Sequence, residues 1–451
     1  MRVAVIGAGA AGMYAVESLL ERREFAVEID LYERLPTPWG LVRAGVAPDH
    51  PEKKQVCDRQ FDFQLKDARV RFIGNVAIGR DVTAAELSQW YDAVIYAVGA
   101  TADIRMGLAG EELPGCLAAR EFVAFYNGHP DFSALPLDLS CERAVVIGNG
   151  NVALDIARIL ATPVAELEKT DIADHALQAL RGSRIREVVV LGRRGAWQAA
   201  FNNPELEEFE HLPGVDVAVE GDDLLAHDEV ANAASWEARR KVETLRRLSA
   251  RPRIPGNKRI VFRFLGTPVE LLGSHQLAHL RVVHNRLERD AQGRLQALPT
   301  DQTSILDTGL VLRAIGYRGT PMPGLPFDDV RGVIRNQQGR VIDDAGHVLR
   351  GVYTSGWIKR GCRGIIGSNR KCARETVAQL LDDWASGRLA GPALNKEAVL
   401  AAVRARQPDA LSLGDWLAID RHERDAGRQQ GRPRVKLTDV PGLLEVARTR
   451  G

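Results

Sequence analysis

An α/β chain of two parallel-sheet units, one inserted into the other, is what this sequence predicts, on three observations. Two glycine-rich turns, Gly7-Ala8-Gly9-Ala10-Ala11-Gly12 and Gly148-Asn149-Gly150-Asn151-Val152-Ala153, each join a short apolar run to an amphipathic stretch. Two further apolar runs, residues 91–98 and 311–315, stop at glycine as buried parallel strands do. The length, 451 residues, allows two or three domains with ample cores.

The first strand is Val3, Ala4, Val5 and Ile6, and helix-spaced Met13, Val16, Leu19 and Leu20 follow over residues 13–22. Between them, the small residues Gly7, Gly9, Ala11 and Gly12 let backbone N–H groups approach a pyrophosphate, while the helix start supplies partial positive charge. A second strand over residues 27–32 ends in Glu33. An acid there hydrogen-bonds an adenosine ribose in dinucleotide folds, and a loop at 22–26 absorbs a separation longer than the usual ~20 residues. Pro36-Thr37-Pro38-Trp39-Gly40 excludes helix, because proline fixes φ and lacks a donor. A rigid loop carrying Trp39 and Leu41 to the mouth of the first site is predicted.

The second turn follows Ala144, Val145, Val146 and Ile147 and leads into Leu154, Ala157, Ile159 and Leu160. Its next strand, residues 187–191, ends in Gly192-Arg193-Arg194-Gly195, with residues 161–185 read as an insertion with a helical middle. An NAD-specific fold would place an acid at this strand end; two arginines suit a 2′-phosphate instead. Acid at one turn and diarginine at the other predict FAD at the first and NADPH at the second, hence hydride transfer from nicotinamide to flavin. The fold class is thus two Rossmann-like dinucleotide-binding domains, the NADP domain inserted into a discontinuous FAD domain. The expected boundaries are 1–101 for the first part of the FAD domain, 102–317 for the NADP domain, and 318–451 for the remainder with a C-terminal extension. In that remainder Gly361, Gly364 and Gly367 precede a helix marked by Ala373, Val377, Leu380, Leu381 and Trp384. Its N-terminus is predicted to face the pyrimidine edge of the flavin, where reduction builds negative charge.

Composition narrows the partners. Lys+Arg 60 against Asp+Glu 59 leaves a net charge of +1, which gives no reason to expect nucleic acid. No apolar run spans a bilayer, and Met1-Arg2 leads straight into a strand, so a cytoplasmic protein with no membrane partner is expected. The five cysteines (Cys57, Cys116, Cys141, Cys362, Cys372) form no CxxC, so no metal or iron–sulfur cradle is indicated and packing is the reading for each. Electrons on a bound flavin would not leave through a protein disulfide.

Read together, Leu35-Pro-Thr-Pro-Trp-Gly-Leu-Val-Arg43, Gly45-Val-Ala-Pro-Asp-His-Pro51, Gly148-Asn-Gly-Asn-Val-Ala-Leu-Asp155, Gly192-Arg-Arg-Gly195, Gln198-Ala-Ala-Phe201, Phe262-Arg-Phe264, Gly356-Trp-Ile-Lys-Arg-Gly361 and Gly431-Arg-Pro-Arg434 carry a resemblance. The chain resembles, nearly end to end, the adrenodoxin reductase-like ferredoxin–NADP+ reductases of bacterial type. The resemblance implies FAD contacts at Ala11, Glu33, Leu41, Val76, Trp357, Gly364, Ile365 and Ile366. It implies NADP(H) contacts at Asn149, Gly150, Asn151, Val152, Arg193, Arg194, Glu205 and Gly364, with His50 and Glu208 close to the nicotinamide. Hydride transfer needs no general base, so that pair is read as orienting or electrostatic. Two departures from the family pattern bear on nicotinamide geometry: Asn202-Asn203-Pro204 where threonines are common, and Cys362-Arg363 where Pro-Thr is common.

A basic segment, Arg239, Arg240, Lys241, Arg246, Arg247, Arg251, Arg253, Lys258 and Arg259, is helical over 235–248 in this reading. It is predicted to steer an acidic ferredoxin, the carrier the resemblance implies, with docking near Arg239, Arg240 and Lys241. Two other readings stay open. One is an electron-input flavoprotein subunit of the glutamate synthase small-subunit kind, whose N-terminal cysteine cluster is missing here. The other is a nucleotide-binding sensor without turnover.

Overall fold

Each glycine-rich turn leaves the carboxyl end of a strand deep inside a parallel sheet. The protein, described here by a computed structural model over residues 1–220 and 235–449, divides into two compact units. One comprises Met1–Val46, His50–Ile104 and Gly316–Gly451; the other comprises Ala47–Asp49 and Arg105–Ile315.

In the first unit the strand Arg2–Ile6 is flanked in parallel by Glu28–Tyr32 and Ala93–Tyr96. Val70–Ile73 extends one side and Val348–Thr354 the other, both parallel, and Arg340–Ile342 and Asn336–Gln337 add an antiparallel edge to make seven strands. Chain order reverses at Arg2–Ile6, and the crevice outside its carboxyl end is where open α/β sheets bind ligands. The helix Ala10–Leu20 buries Met13, Val16 and Leu19, each contributing about 1.5–3 kcal/mol by leaving water. Helix Ser368–Ala385 packs against it and buries Ala373, Val377, Leu380 and Leu381, the face expected from their spacing.

In the second unit six strands, all parallel, run in the order Cys116–Ala118, Leu310–Arg313, Arg143–Ile147, Glu187–Leu191, Lys258–Arg263, Val215–Glu220. Leu154, Ala157, Ile159 and Leu160 of helix Asn151–Ala161 are fully buried. Within the 161–185 insertion stand two short helices, Val164–Leu167 and Asp174–Arg181. A three-stranded antiparallel sheet, Gly266–Leu272, His279–Arg289 and Leu295–Asp307, was not anticipated. Its signal was present as alternation: Leu280 and Val282 are buried in one core cluster with Val145, Val189 and Val261, while their neighbours are not.

One expectation is corrected. The Trp39 amide donates to the Ala8 carbonyl at 2.8 Å, so the loop reaches the first turn, but the ring is turned away: it is 4% exposed and packs edge-on against Trp416, ring centroids 4.9 Å apart. Leu41, two residues on, is 43% exposed. The large ring gains more by burial than by solvent contact.

Candidate functional site

The first turn is built for close approach. Gly7 has φ of 101°, and a Cβ there would stand 2.7 Å from the carbonyl oxygen of Ala97. A Cβ on Gly12 would stand 1.8 Å from the oxygen of Gly7, so strand and helix meet where no side chain fits. The helix Ala10–Leu20 starts at Gly9 with no side-chain cap, which leaves its first amides available to an anion. Glu33 receives the Ala8 amide on Oε2 at 2.9 Å and the Leu35 amide on Oε1 at 3.1 Å. Burial raises the Glu33 carboxyl above the usual range, and these amides oppose that rise.

Other segments converge on the same turn. Val76 is buried, and its amide donates to the Glu33 carbonyl at 2.9 Å. Gly40 faces Gly9, where a Cβ on it would meet the Gly9 Cα at 3.0 Å; this places Leu41, first residue of helix Leu41–Ala44, beside the turn. Gly356 has φ of 80°, and a Cβ on it would lie 2.5 Å from the Ala11 Cβ, which brings Trp357 to the helix start. Trp357 Nε1 donates to the Arg363 carbonyl at 3.2 Å. Asn369 Nδ2 donates to the carbonyls of Ile365 and Ile366, shaping Gly364, Ile365 and Ile366 into the approach to the uncapped helix Ser368–Ala385. The open start of helix Ala10–Leu20, glycines that exclude a Cβ and an acid at a strand end together fit an adenine dinucleotide such as FAD; the first amides of helix Ser368–Ala385 are instead taken by the carbonyls of Ile365, Ile366 and Gly367. Cys362, in the departing Cys362-Arg363 pair, has its thiol pushed up by burial to about 11 and is therefore a poor nucleophile.

The second turn repeats the design with different edges. Gly148 has φ of 125°, and a Cβ on it would meet the Ala314 carbonyl oxygen at 2.3 Å. A Cβ on Gly150 would meet nothing within 4 Å, so the space ahead of the uncapped helix Asn151–Ala161 is open. Asn149 accepts the amides of Ala200 and Phe201 on its carbonyl, each at 2.9 Å, and Asn151 Oδ1 accepts the Asn202 amide at 2.9 Å. These bonds dock the segment that enters helix Asn203–Glu207, which carries Glu205; Val152 lies in the first turn of Asn151–Ala161. Pro204 sits in the first turn of its helix, where a missing N–H costs no bond, so this departure from the family pattern leaves local geometry regular.

A Cβ on Gly192 would lie 2.7 Å from Asn149 Nδ2, which brings the diarginine to the same turn. Asn285 Nδ2 donates to the Arg193 carbonyl at 2.7 Å, and the Leu265 amide donates to that of Arg194 at 3.3 Å. Among the described residues, nothing engages either guanidinium. Two fixed backbones with unengaged cationic side chains beside an open helix start fit a nucleotide bearing an extra phosphate.

His50 belongs to the first unit and Glu208 to the second. His50 is buried at the N-cap of helix Pro51–Val56, with Lys53 Nζ 3.1 Å from its Nδ1. Glu208 opens the turn Glu208–His211, and its Oε2 lies 3.4 Å from Arg158 Nη1. Arg158, a residue the sequence did not single out, also engages Asp49 and Asp155. Asp155-Ile-Ala-Arg158 advertises the last of these by its i,i+3 spacing, but nothing in the sequence links residues 49, 158 and 208.

The basic helix is Trp236–Ser249, capped by Ser235. Arg239 and Arg240 are exposed, and Arg240 is held by Glu207 through bonds of 2.5 and 2.8 Å. Lys241 requires a correction: it is buried, donates to the Ala199 carbonyl at 2.5 Å and lies over the Phe201 ring. Its burial lowers the ammonium pKa below the usual lysine value and withdraws it from any docking face. A groove of about 860 Å³ beside the helix mixes Glu207, Glu208, Glu210 and Glu243 with Arg239, Arg240 and Arg247, so the basic face is partly neutralised. No helix of the described residues is long and apolar enough to cross a membrane.

Comparison with known proteins agrees with this architecture. Residues 1–196 match the family described as pyridine nucleotide-disulphide oxidoreductase. The chain is 44% identical over 454 residues to NADPH-ferredoxin reductase FprA of Mycobacterium tuberculosis, covering 98% of each. It is 40% identical to the mitochondrial NADPH:adrenodoxin oxidoreductase of Salvelinus fontinalis, covering 99% of this chain and 91% of that one. The structure of M. tuberculosis FprA in complex with NADPH superposes with a TM-score of 0.94 over 99% of both chains. With relatives this similar along its whole length, the chain belongs to the adrenodoxin reductase-like family of NADPH–ferredoxin reductases.

Proposed function

We infer that the chain is an FAD-dependent NADPH–ferredoxin reductase. When bound, the two cofactors supply the redox chemistry: NADPH gives a hydride to FAD, and the electrons leave singly to a ferredoxin. The observation that carries the reading is the asymmetry of the two turns, one edged by Glu33 and the other by Arg193 and Arg194, in a chain with FprA-like relatives throughout.

Each residue then has a task. The amides following Gly7 and Gly9 bind the FAD pyrophosphate, and Glu33 takes the adenosine ribose. Leu41, Val76 and Trp357 shape the flavin pocket, while Gly364, Ile365 and Ile366 present their amides toward the pyrimidine edge. Asn149 to Val152 receive the NADPH pyrophosphate, Arg193 and Arg194 the 2′-phosphate, and Glu205 completes that site. His50 and Glu208, the pair the family resemblance implies near the nicotinamide, have an orienting or electrostatic role without moving a proton.

The ferredoxin docks on the exposed flank of helix Trp236–Ser249 through Arg239 and Arg240, competing with Glu207 for the second, while Lys241 anchors the helix from beneath. Charge reversal of both arginines is expected to slow reduction of ferredoxin and to leave reduction of ferricyanide unchanged; equal slowing refutes the docking site. The function itself is tested by mixing NADPH with the oxidised, FAD-loaded protein in a stopped-flow instrument. The flavin band is expected to bleach, and a band that persists refutes the reading.

A further inference from the structure

We propose that Arg158 is a positioning residue for hydride transfer, its single guanidinium fixing both the Glu208 carboxylate and, through Asp49, the backbone that enters His50. The inference rests on the reductase reading above. Arg158 is 1% exposed and lies on helix Asn151–Ala161, about two turns from its start at the open Gly150. Its Nε and Nη2 reach the Asp49 oxygens at 2.5 and 3.1 Å, Nη2 reaches Asp155 at 2.8 Å, and Nη1 stands 3.4 Å from Glu208, an ion-pair contact rather than a hydrogen bond. Burial alone would lower the pKa of this guanidinium, and the aspartates more than reverse that, so it stays charged.

The geometry assigns the parts. Asp155, three residues earlier on the same helix, orients the guanidinium from its own element. The rigid, planar fork grips Asp49 through two bonds, a geometry that a lysine point charge cannot reproduce, and turns Nη1 toward the Glu208 carboxylate at ion-pair distance. All four residues belong to the second unit, and the chain passes into the first at His50, immediately after Asp49. A stabilising ion pair needs one acid; here acids from three separate segments meet one cation, and two of those segments carry the residues assigned to the nicotinamide.

The test uses the full-length, FAD-loaded protein with Arg158→Met, Arg158→Lys, Glu208→Gln and the Arg158→Met/Glu208→Gln double variant. Three quantities are read: the limiting rate of flavin reduction at saturating NADPH, the dissociation constant for NADP+, and hydrogen exchange in residues 45–50 and 203–212 without nucleotide. Arg158→Met is expected to lower the limiting rate ~10- to 100-fold, as misplacement by about an ångström does. FAD content and the NADP+ constant should stay within about threefold of the parent, a kcat loss rather than a KM loss. Exchange should rise in both segments, Arg158→Lys should recover part of the rate, and the double variant should be no slower than its slower single parent. A parental rate in Arg158→Met, a loss confined to NADP+ affinity, or multiplying losses in the double variant overturns the proposal. Should Arg158→Met fail to fold, Asp49→Asn replaces it: exchange is expected to rise at 45–50 with a slower limiting rate, and raised exchange at a parental rate overturns the idea. Bleaching of the parent by NADPH reports on the reductase reading separately.

Discussion

Discrimination for NADPH over NADH is expected to reside in Arg193 and Arg194, and their surroundings allow its size to be worked out. Both backbones are held independently of their side chains, Arg193 through its carbonyl by Asn285 and Arg194 through its carbonyl by Leu265. Truncation to alanine therefore removes a guanidinium without moving the turn. Neither side chain has an internal partner among the described residues, so no buried acid is stranded by its loss. What disappears is a charge-assisted contact to phosphate, about 1.5–3 kcal/mol each, or roughly 10- to 100-fold in kcat/KM for NADPH. Arg193 is exposed and Arg194 half-buried, so the loss at Arg193 should be smaller and more easily screened by salt. Steady-state diaphorase assays with both coenzymes at low and high salt measure this directly. NADH, lacking the 2′-phosphate, should change by no more than about twofold. Comparable losses with both coenzymes would falsify recognition of the 2′-phosphate by this pair.

Three further outcomes are expected. Gly150→Ala should fold as the parent does, since its methyl meets no protein atom, but should weaken NADP+ binding ~10-fold or more by filling the space before the helix; Gly12→Ala, whose methyl meets the Gly7 oxygen, should instead lose thermal stability and FAD. Calorimetric titration and melting curves separate the two, and a destabilised Gly150→Ala refutes the assignment of that space to ligand. Glu423→Gln removes the carboxylate from Arg43 while Arg434 keeps Asp420 at 2.9 Å, at a cost of up to about 3–5 kcal/mol, and should release FAD because Arg43 lies in the same short helix as Leu41. Unchanged melting and flavin content would count against that coupling. Burial alone would raise the Asp383 carboxyl, but hydrogen bonds from Arg340, Tyr353 and Arg388 outweigh it and hold its pKa at about 2, below the usual 3.8. A depressed acid contributes stability that is whole above about pH 4 and is lost as pH falls toward 2, about 2 kcal/mol here. The urea midpoint of Asp383→Asn should therefore approach that of the parent between pH 4 and 2, and a constant gap refutes the linkage.

What the sequence determined by itself is whatever has a local cause. A strand that stops at glycine and restarts as a helix is a few consecutive residues, and the φ of 101° at Gly7 or 125° at Gly148 follows from the absence of a Cβ there. The apolar face of helix Ser368–Ala385 was likewise legible from the spacing of Ala373, Val377, Leu380 and Leu381. So was the α/β class, because short buried strands ending at glycine imply parallel sheets. Tertiary structure alone decided which distant groups meet. Trp39 looks like an exposed loop residue until Trp416 covers it, and Lys241 looks like part of a basic face until the Ala199 carbonyl and the Phe201 ring receive it. Arg43 and Glu423, or Asp49, Arg158 and Glu208, carry no mark in the sequence of belonging together. Periodicity records which side of an element is buried, whereas the partner of a buried charge is selected by how whole elements pack, and a buried charge persists only where that packing delivers its counter-ion.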